Sequence, residues 1–435
     1  MTWLPVHPVR ATARAVAVAG CVALVAVLGA CSGSKTPAVP YVAPQGVSEK
    51  EIVFGTHQPL TGPAAAGYSK IAAATKAYFD YVNAKGGVHG RKIIYRIEDD
   101  GYNPANTQTV VRKLVEQDKV FAILNGLGTP THSAVLSYLK DAEIPDLFVS
   151  SGSPAWNQPG KYPGTFAFQP DYTTEAKVVG HYLKTASAFA GQKICSFAQD
   201  DDYGASYLTG LETGLGTPVT ARATYVTSNP NVAPQVDKLR DAGCDVVVLA
   251  TIPSFTARFI STAAKLGWRP QYVAAYPAGE YGTVAATLGD EKDLLEGMVG
   301  AGFLPAVANV SDPWIKLFTR INQDFNGGVA FDGHVLYGMA VGYLVVQVLQ
   351  KAGREITVDK LIATLEKGGF RGPGLVPFSY SATSHAGYAG VRLSKVTGGV
   401  QDYFGPAYVT DAGSAPVTEY TEATATPPDS GIPSA

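Results

Sequence analysis

Charged residues are scarce in this sequence, and that scarcity excludes several kinds of partner. Only 16% of the 435 residues are Asp, Glu, Lys or Arg, and the formal net charge at pH 7 is -2. Proteins that bind the phosphate backbone of nucleic acids need a basic stripe or patch, which this chain does not contain. We therefore expect no nucleic-acid partner.

The motifs of several common enzymes are also missing. The sequence has no G-x-S-x-G nucleophile elbow, no G-x-x-x-x-G-K-[ST] phosphate loop, no H-E-x-x-H helix and no C-x-x-C pair. Its seven histidines are scattered along the chain. These absences favour a protein without catalytic activity, and they predict neither a cofactor nor a bound metal.

The N-terminal segment has the features of an export signal. Arg10 and Arg14 precede an apolar run, residues 15–30, that is too short for a comfortable membrane span. The run closes on Leu-Gly-Ala-Cys ending at Cys31, which resembles a bacterial lipobox. We predict a signal peptide over residues 1–30 and a lipid on Cys31 that anchors the protein outside the cell membrane. The alternative is an ordinary cleavage site with a chance cysteine.

Two segments that flank the body of the chain are rich in Pro, Ser, Thr and Gly. Residues 31–49 are predicted to form a flexible tether, and residues 409–435 a disordered tail. The residues between them are enough for two domains of ordinary size.

Between the tether and the tail, predicted strands alternate with predicted helices. Short apolar runs such as residues 120–124 and 246–250 suit strands buried on both faces, and the alternation of strands and helices builds parallel sheets. The alternation of strands and helices begins again near Gly191, so we predict an α/β fold of two doubly wound lobes. The apolar segment 335–349 is too short to span a membrane and is predicted to be a buried helix.

If Cys31 carries a lipid, two other cysteines of the mature chain remain that could form a disulfide. Cys195 and Cys244 both fall on predicted strands of the second lobe, and an exported protein can hold such a bond. The sequence leaves two interpretations open, a disulfide or two free buried thiols.

Ligands of open parallel sheets bind beyond the carboxyl ends of the strands, where helices begin. This rule selects six segments whose Ser, Thr, Tyr and Gly residues suit a carboxylate or another small anion. They are residues 61–68, 128–133, 150–153, 200–203, 251–254 and 276–280.

Two other patterns invite alternative interpretations. Acidic clusters at 98–100 and 199–204 could indicate metal, but neither has the ligand spacing of a calcium loop, and carboxylates near helix N-termini account for them. A serine hydrolase built on Ser153, His132 and Asp171 is a further alternative. Ser153 lacks the strained turn that exposes a nucleophile, so we favour the hydrolase least.

Several motifs together resemble the leucine/isoleucine/valine-binding protein family. They are LTGPAAAGYS at 60–69, VNAKGGVHGRKI at 82–93, the acid pair before Asn103-Pro104, IPDLFVSSGSP at 144–154, Asp202-Tyr203-Gly204 and LGW at 266–268. The likeness covers roughly residues 50–405. Members of this family are extracytoplasmic substrate-binding proteins of ABC transporters with a type I periplasmic binding protein fold.

The resemblance implies two Rossmann-like lobes joined by a hinge that the chain crosses three times. Lobe 1 is expected at residues 50–170 plus 300–377, and lobe 2 at residues 171–299 plus 378–408. Hinged lobes of this kind close around a ligand, so that contacts to both contribute to binding.

The resemblance also implies a ligand site. The loop that holds an amino-acid carboxylate in the family matches Gly128 and Thr129, while the acidic partner of the ammonium aligns with Tyr276 or Ala278 and leaves Glu280 offset. The expected ligand residues are Tyr68, Gly128, Thr129, Ser150, Ser151, Gly152, Asp171, Tyr172, Tyr203, Tyr276 and Glu280.

The function implied is that of a monomeric, lipid-anchored binding protein that delivers a branched-chain or related amino acid to the permease of an ABC importer. Because the second carboxylate is missing, a buried ammonium would lack a partner unless an aromatic ring replaced it. An amide, urea-like or aromatic carboxylate ligand is therefore the alternative. A second alternative is a receptor of the same fold that reports ligand binding to a signalling partner. The exported hydrolase is an alternative from a different class of function.

Overall fold

The computed structural model describes residues 41–434. The predicted signal peptide, the predicted lipid on Cys31 and the first part of the predicted tether lie outside the described residues. The end of the tether differs from the expectation because it is packed. Gln45 Nε2 donates to Val115 O at 3.1 Å and to Val120 O at 3.0 Å, which fixes this segment to the body of the fold.

Strands and helices alternate along most of the chain, and antiparallel strands follow near its end. The strands are β1 Glu51–Gln58, β2 Lys92–Asp99, β3 Ala122–Leu124, β4 Asp146–Val149, β5 Thr165–Ala167, β6 Ile194–Gln199, β7 Ala221–Tyr225, β8 Val246–Ala250, β9 Gln271–Ala274, β10 Val299–Gly302, β11 Phe378–Ser381, β12 Ser384–Tyr388, β13 Gly390–Thr397, β14 Val400–Val409 and β15 Thr418–Tyr420. The α-helices are α1 Ala65–Ala84, α2 Pro104–Arg112, α3 Thr129–Ser133, α4 Leu136–Asp141, α5 Tyr172–Thr185, α6 Asp202–Leu215, α7 Ala233–Asp241, α8 Pro253–Lys265, α9 Tyr281–Leu288, α10 Pro313–Phe325, α11 Gly333–Ala352 and α12 Val358–Lys367.

The first sheet is parallel throughout and has the strand order β2-β1-β3-β4-β5. Strands β3 and β4 are buried at every residue, which explains why they are apolar apart from Asp146 at the start of β4. The order reverses at β1, which lies between β2 and β3. Loops that leave the carboxyl ends of strands at such a reversal diverge and open a crevice.

The second sheet repeats this arrangement. Its parallel part has the order β7-β6-β8-β9-β10, with the reversal at β6, and the antiparallel strands β13, β14 and β15 extend the β10 edge. Strand β8 is buried at every residue. Two lobes with the same parallel order confirm the predicted α/β fold.

Helix α11 lies in the core of the first lobe against α1. Among the described residues it alone is long and apolar enough to cross a membrane, but 89% of its most apolar window is buried inside the protein. The helices approach closely at Gly338, where a Cβ would lie 2.2 Å from Ile71 O. The predicted buried helix at 335–349 is thus confirmed.

The boundary of the second lobe falls later than predicted. The β11–β12 hairpin lies against β5 of the first sheet, where Tyr388 N donates to Phe168 O at 3.1 Å. Residues 378–388 therefore belong with lobe 1, and the chain rejoins the second sheet at Gly390. Strand β10, at residues 299–302, belongs to the second sheet. A hairpin has the same sequence pattern on either sheet, so the sequence could not assign it.

The tail also departs from its predicted disorder over residues 409–434. Strand β15 pairs with β14, and the buried Lys177 donates to Gly413 O at 2.7 Å and to Ala415 O at 2.5 Å. These contacts attach the first half of the tail to the second lobe.

The last residues of the tail lie on the first lobe. Trp314 Nε1 donates to Ala425 O at 2.7 Å, and Tyr78 OH donates to Gly431 O at 2.7 Å. Composition concealed this packing because the bonds use main-chain carbonyl groups, which a Pro- and Thr-rich segment offers as well as any other. The tail is a fourth connection between the lobes, besides the three hinge crossings.

A disulfide joins Cys195 of β6 to Cys244, which precedes the neighbouring strand β8, with the two Cα atoms 5.9 Å apart. Of the two interpretations left open by the sequence, the structure has the bond. It ties together the centre of the second sheet across 49 residues of chain.

Replacing both cysteines by alanine should lower the free energy of unfolding by about 2–4 kcal/mol, because the unfolded chain regains the freedom of a long loop. Denaturant titration of the wild type and of the double variant measures the difference. Reductant should destabilise the wild type and leave the Cys195→Ala/Cys244→Ala protein unchanged; equal sensitivity of the two would contradict the prediction.

Candidate functional site

The carboxyl ends of both parallel sheets face one cavity of about 340 Å³. Lobe 1 lines it with residues from the loops after β2, β3 and β4 and from α1 and α11, and lobe 2 with residues from the loops after β8 and β9 and from α6. The lobes touch across it. Tyr68 OH donates to Pro277 O at 2.9 Å, and Ser254 Oγ donates to Pro63 O at 2.7 Å. The structure therefore represents a closed arrangement.

Hydroxyl groups of lobe 1 form one side of the cavity. Thr129 Oγ1 shares a hydrogen bond of 2.7 Å with Ser151 Oγ, and Ser150 lines the cavity beside them. Gly128 has a φ of 104°, and a Cβ there would lie 2.6 Å from the ring of Tyr102. Only glycine lets the loop lie this close to the ring. Hydroxyl and N–H groups in this arrangement can bind a carboxylate.

Besides Tyr281 and Tyr403, six tyrosines line the same cavity: Tyr68, Tyr102, Tyr172, Tyr203, Tyr276 and Tyr337. The ring centroids of Tyr172 and Tyr203 are 4.3 Å apart. Burial raises the pKa of every one of these phenols, to about 12 for Tyr172. All six are therefore neutral at physiological pH and offer ring faces to an apolar or cationic group.

Several of the phenol hydroxyls already have protein partners. Tyr203 OH donates to Thr251 O at 3.3 Å, and Tyr102 OH accepts a hydrogen bond from Gln199 Nε2 at 3.3 Å. The second of these bonds joins the lobes, because Gln199 ends β6 and Tyr102 follows β2. Tyr203 therefore presents mainly its ring to the cavity, whereas the hydroxyl of Tyr102 can still donate a hydrogen bond.

Glu280, Asp332 and His334 form an acidic corner of the cavity lining. Their ligating atoms lie within 4.8 Å of one another, close enough to hold a cation. The carboxylates are already engaged, since Glu280 Oε2 accepts from Thr283 N at 2.6 Å and Asp332 Oδ2 pairs with Lys70 at 2.5 Å. Desolvation lowers the pKa of His334. We interpret the corner as two capped helix starts whose negative potential faces the cavity.

Glu175 is a buried acid directly behind the tyrosines. Its Oε1 accepts from Tyr276 N at 2.7 Å and from Tyr207 OH at 3.2 Å, and within residues 41–434 no partner reaches Oε2. Burial raises the pKa of Glu175 to about 7. Sequence reasoning missed it because an acid in the first turn of a helix is usually an exposed dipole partner.

The structure brings most of the predicted ligand residues to the cavity: Tyr68, Gly128, Thr129, Ser150, Tyr172, Tyr203, Tyr276 and Glu280. The other three lie behind it. Ser151 supports Thr129, Gly152 O accepts from Tyr172 N at 2.7 Å, and Asp171 caps α5 by accepting from Thr173 N at 2.7 Å. Contact of any of these residues with a ligand stays a prediction.

The cavity also contains residues that the sequence did not select. Tyr102 directly follows β2, so the strand-end rule applied to that strand would have found it. Asp332 and His334 open α11, where an Asp before a helix is a visible capping signal. Tyr337 and Gln169 had no local signal, because their position depends on how α11 and the hinge meet the two lobes.

The hydrolase alternative has no geometric basis. His132 bonds to His57 at 2.9 Å and to Asp146 at 2.7 Å. Ser153 Oγ instead accepts from Ala155 N at 3.2 Å, and Asp171 caps α5. The three residues proposed as a triad thus have separate partners.

Carboxylates of the acidic clusters accept hydrogen bonds from main-chain N–H groups. Asp201 caps α6 by accepting from Tyr203 N at 3.0 Å, as a carboxylate near a helix N-terminus should. Asp99 Oδ1 accepts from Leu60 N at 3.0 Å and from Gly101 N at 2.9 Å and so fixes two loops beside the first sheet. These carboxylates stabilise turns rather than stand free.

Two α/β lobes that close on a cavity at the carboxyl ends of both sheets define a two-lobed ligand-binding protein. A family model described as Periplasmic binding protein matches residues 51–401, and the chain belongs to this family. The family is periplasmic or extracytoplasmic, and the predicted resemblance to leucine/isoleucine/valine-binding proteins is confirmed.

Curated relatives and solved structures agree with this assignment. The chain is 22% identical over 313 residues to the Leu/Ile/Val-binding protein homolog 7 of Brucella melitensis, covering 69% of this chain and 77% of the relative. It is 23% identical over 328 residues to homolog 8 of Brucella abortus, covering 73% and 80%.

Two solved structures show the same fold. A branched-chain amino acid ABC transporter protein from Thermus thermophilus with bound valine superimposes with a TM-score of 0.73 and 18% identity, over 84% of this chain and 98% of that one. A fatty acid ABC transporter substrate-binding protein from Thermomonospora curvata gives a TM-score of 0.74 and 22% identity, over 87% and 98%.

Glu175→Gln should stabilise the protein more at pH 8 than at pH 5. The unfolded carboxyl ionises near pH 4.5, whereas the folded one keeps its proton up to about 7, so wild-type stability falls as pH rises across this window and then levels off. The neutral amide removes this loss, which amounts to about 2–3 kcal/mol at pH 8. Denaturant unfolding at both pH values measures it. The same change at the exposed Glu51 is the control, and an equal pH dependence in both variants would contradict the assignment.

Proposed function

We propose that the protein is a monomeric extracytoplasmic solute-binding protein that captures a small molecule between its lobes and delivers it to the permease of an ABC importer. A lipid on Cys31 would hold it at the membrane. The observation that carries the proposal is the cavity of about 340 Å³ closed between the lobes. Its volume is at the lower end of the roughly 300–1,000 Å³ that small-molecule sites occupy.

A branched-chain or related amino acid is the ligand that fits this cavity best. The hydroxyl side at Thr129 and Ser150 suits a carboxylate, the corner at Glu280 suits an ammonium, and aliphatic residues such as Leu127 supply an apolar wall. A zwitterion also brings no net charge into a cavity whose described lining includes acids but no Lys or Arg. The names of the Brucella relatives and the valine in the Thermus structure support the same choice.

A carboxylate with an apolar or aromatic body is the second candidate. The six tyrosines favour it, since their rings can pack on a chain or ring that carries no ammonium. The Thermomonospora protein, whose fold this chain shares, is named as the substrate-binding protein of a fatty acid transporter. The two candidates differ in one chemical group, the ammonium.

L-Leucine and 4-methylpentanoate have the same carbon skeleton and separate the candidates directly. If the acidic corner recognises an ammonium, calorimetry at pH 7.5 should show leucine binding at least about 10-fold more tightly, a difference of about 1.4 kcal/mol. Phenylalanine and 3-phenylpropanoate repeat the comparison with an aromatic body. Tighter binding of both plain acids would favour the second candidate, and binding of none of the four would contradict both.

Thr129→Ala and Tyr203→Ala should each weaken the tightest of these ligands by about 1–3 kcal/mol, because one removes a hydroxyl and the other a packed ring. The two residues come from opposite lobes, at α3 and α6. Calorimetry on each variant gives the loss. Thr213→Ala, on the exposed part of α6, is the matched control and should bind like the wild type. Wild-type affinity in both site variants would reject the proposed site.

A further inference from the structure

A chain of four buried ionisable side chains lies beneath the loop that carries Thr129. Asp100 Oδ2 bonds to His57 Nδ1 at 2.8 Å, His57 Nε2 to His132 Nδ1 at 2.9 Å, and His132 Nε2 to Asp146 Oδ2 at 2.7 Å. None of the four residues is more than 1% exposed. They come from β1, the loop after β2, α3 and the first residue of β4, so the bonds join four segments of lobe 1.

The number of protons in this chain is fixed by its hydrogen bonds. Three bonds between these four side chains need three protons, and with both carboxylates ionised the two rings must share them. One ring is then neutral and the other is an imidazolium. Burial lowers the pKa of His57, and the charge of His132 lowers it further. We therefore take His57 as the neutral ring, with its Nε2 as the acceptor in the bond to His132 Nδ1.

Both ends of the chain hold residues that line the cavity. Asp100 Oδ1 accepts from Tyr102 N at 2.8 Å and so fixes Tyr102 in a left-handed conformation with φ of 59°. His132 lies on α3 together with Thr129, and its main-chain N–H donates to Gly128 O at 3.0 Å. The chain thus connects the two parts of lobe 1 that meet at the ligand loop.

Gly126 covers the bond between the two rings. A Cβ at this position would lie 2.5 Å from His57 Nε2 and 2.7 Å from His132 Nδ1. The main chain of the loop therefore packs directly on the ring pair, and a change in the distance between the rings must displace it.

We infer that the Asp100–His57–His132–Asp146 chain is a proton-dependent latch that keeps Tyr102 and Thr129 in position for the ligand. This inference rests on the proposed function of the cavity. Among the ring nitrogens of the chain, His57 Nε2 is the one without a hydrogen and so the one that can take a fourth proton. Two N–H groups would then face each other across 2.9 Å, so the rings must separate and α3 must move. Acidification should therefore release the ligand loop.

The direction of the pH dependence follows from the groups that face His57. These are Asp100 and Asp146, which favour its protonation, and His132, which opposes it; the Tyr102 phenol faces Asp100 in turn. Burial outweighs the carboxylates, so the folded pKa of His57 lies below its ordinary value of 6.5. The latch is closed at pH 7 and opens below pH 6.5. As the pH is lowered through 6.5, the unfolded chain binds the proton before the folded chain does, so the free energy of unfolding decreases as the pH decreases.

Imidazole and amide NMR of the ¹⁵N-labelled protein, without ligand, tests the latch. At pH 7.5 we expect a neutral His57 with its proton on Nδ1. On acidification His57 should titrate below pH 6.5, and the Thr129 amide should shift at the same midpoint. Titration of His57 at or above pH 6.5, or a Thr129 amide that does not respond to the transition, would overturn the inference.

Two variants and one control sharpen this experiment. Asp146→Asn keeps the shape of the chain but removes a carboxylate that favours the extra proton, so the midpoint should move to lower pH by about one unit. Gly126→Ala should press the rings apart and shift the Thr129 amide even at pH 7.5. His181→Gln, on α5, is the histidine control and should change neither signal. An unchanged or higher midpoint in Asp146→Asn would contradict the latch.

Binding of L-leucine and 4-methylpentanoate at pH 7.5 and pH 5.5 links the latch to the cavity. The compound that binds at pH 7.5 should bind at least about tenfold more weakly at pH 5.5 in the wild type, and less so in Asp146→Asn. Failure of both compounds at pH 7.5 rejects the proposed ligands, whereas the NMR titration judges the latch without any ligand. Equal affinity at both pH values would show that the chain does not act on the site.

Discussion

Closure of the two lobes depends on satisfying every polar group that closure removes from water. A buried hydroxyl or carbonyl without a partner costs roughly 1–3 kcal/mol, so a few such groups would hold the cleft open. The structure meets this constraint by pairing groups across the cleft. Tyr68 donates to the carbonyl of Pro277, and Thr283 Oγ1 bonds to His334 Nδ1 at 3.1 Å. The groups left for a ligand are those that neither lobe can satisfy from the other.

Each residue that lines the cavity is held by one behind it, which limits how the site can change shape. Ser151 holds Thr129, and Glu175 holds the main chain of Tyr276. Tyr172 is held by Gly152 at the point where the chain passes from lobe 1 to lobe 2. A Cβ at Gly152 would lie 2.5 Å from Pro170 O, so this crossing tolerates no side chain there. Movement of the hinge therefore moves cavity residues directly.

The sequence is informative wherever a local pattern and a general rule coincide. Buried strands, helix starts and the strand-end rule are enough to place Thr129 and Tyr203 on opposite sides of one site. Tyr102 follows β2 and obeys the same rule, although its loop is not among the six predicted segments. The His57–His132 bond has no signal at all, since the residues are 75 positions apart and meet only through the parallel register of the sheet. The packing of the tail could not be predicted for a different reason. It uses main-chain carbonyl groups, which every residue has whatever its side chain.

The electrostatics of the closed cleft are the physical reason for proposing a zwitterion rather than an anion as the ligand. Glu280 and Asp332 place two carboxylates in the lining of the cavity. Among the described lining residues no Lys or Arg offsets them. A plain carboxylate would bring a further negative charge into this low-dielectric space, where repulsion between like charges is weakly screened. An amino acid carries its own compensating ammonium, so under the proposed function its carboxylate would bind the hydroxyl groups at Thr129 while the ammonium would offset the negative potential of the acids.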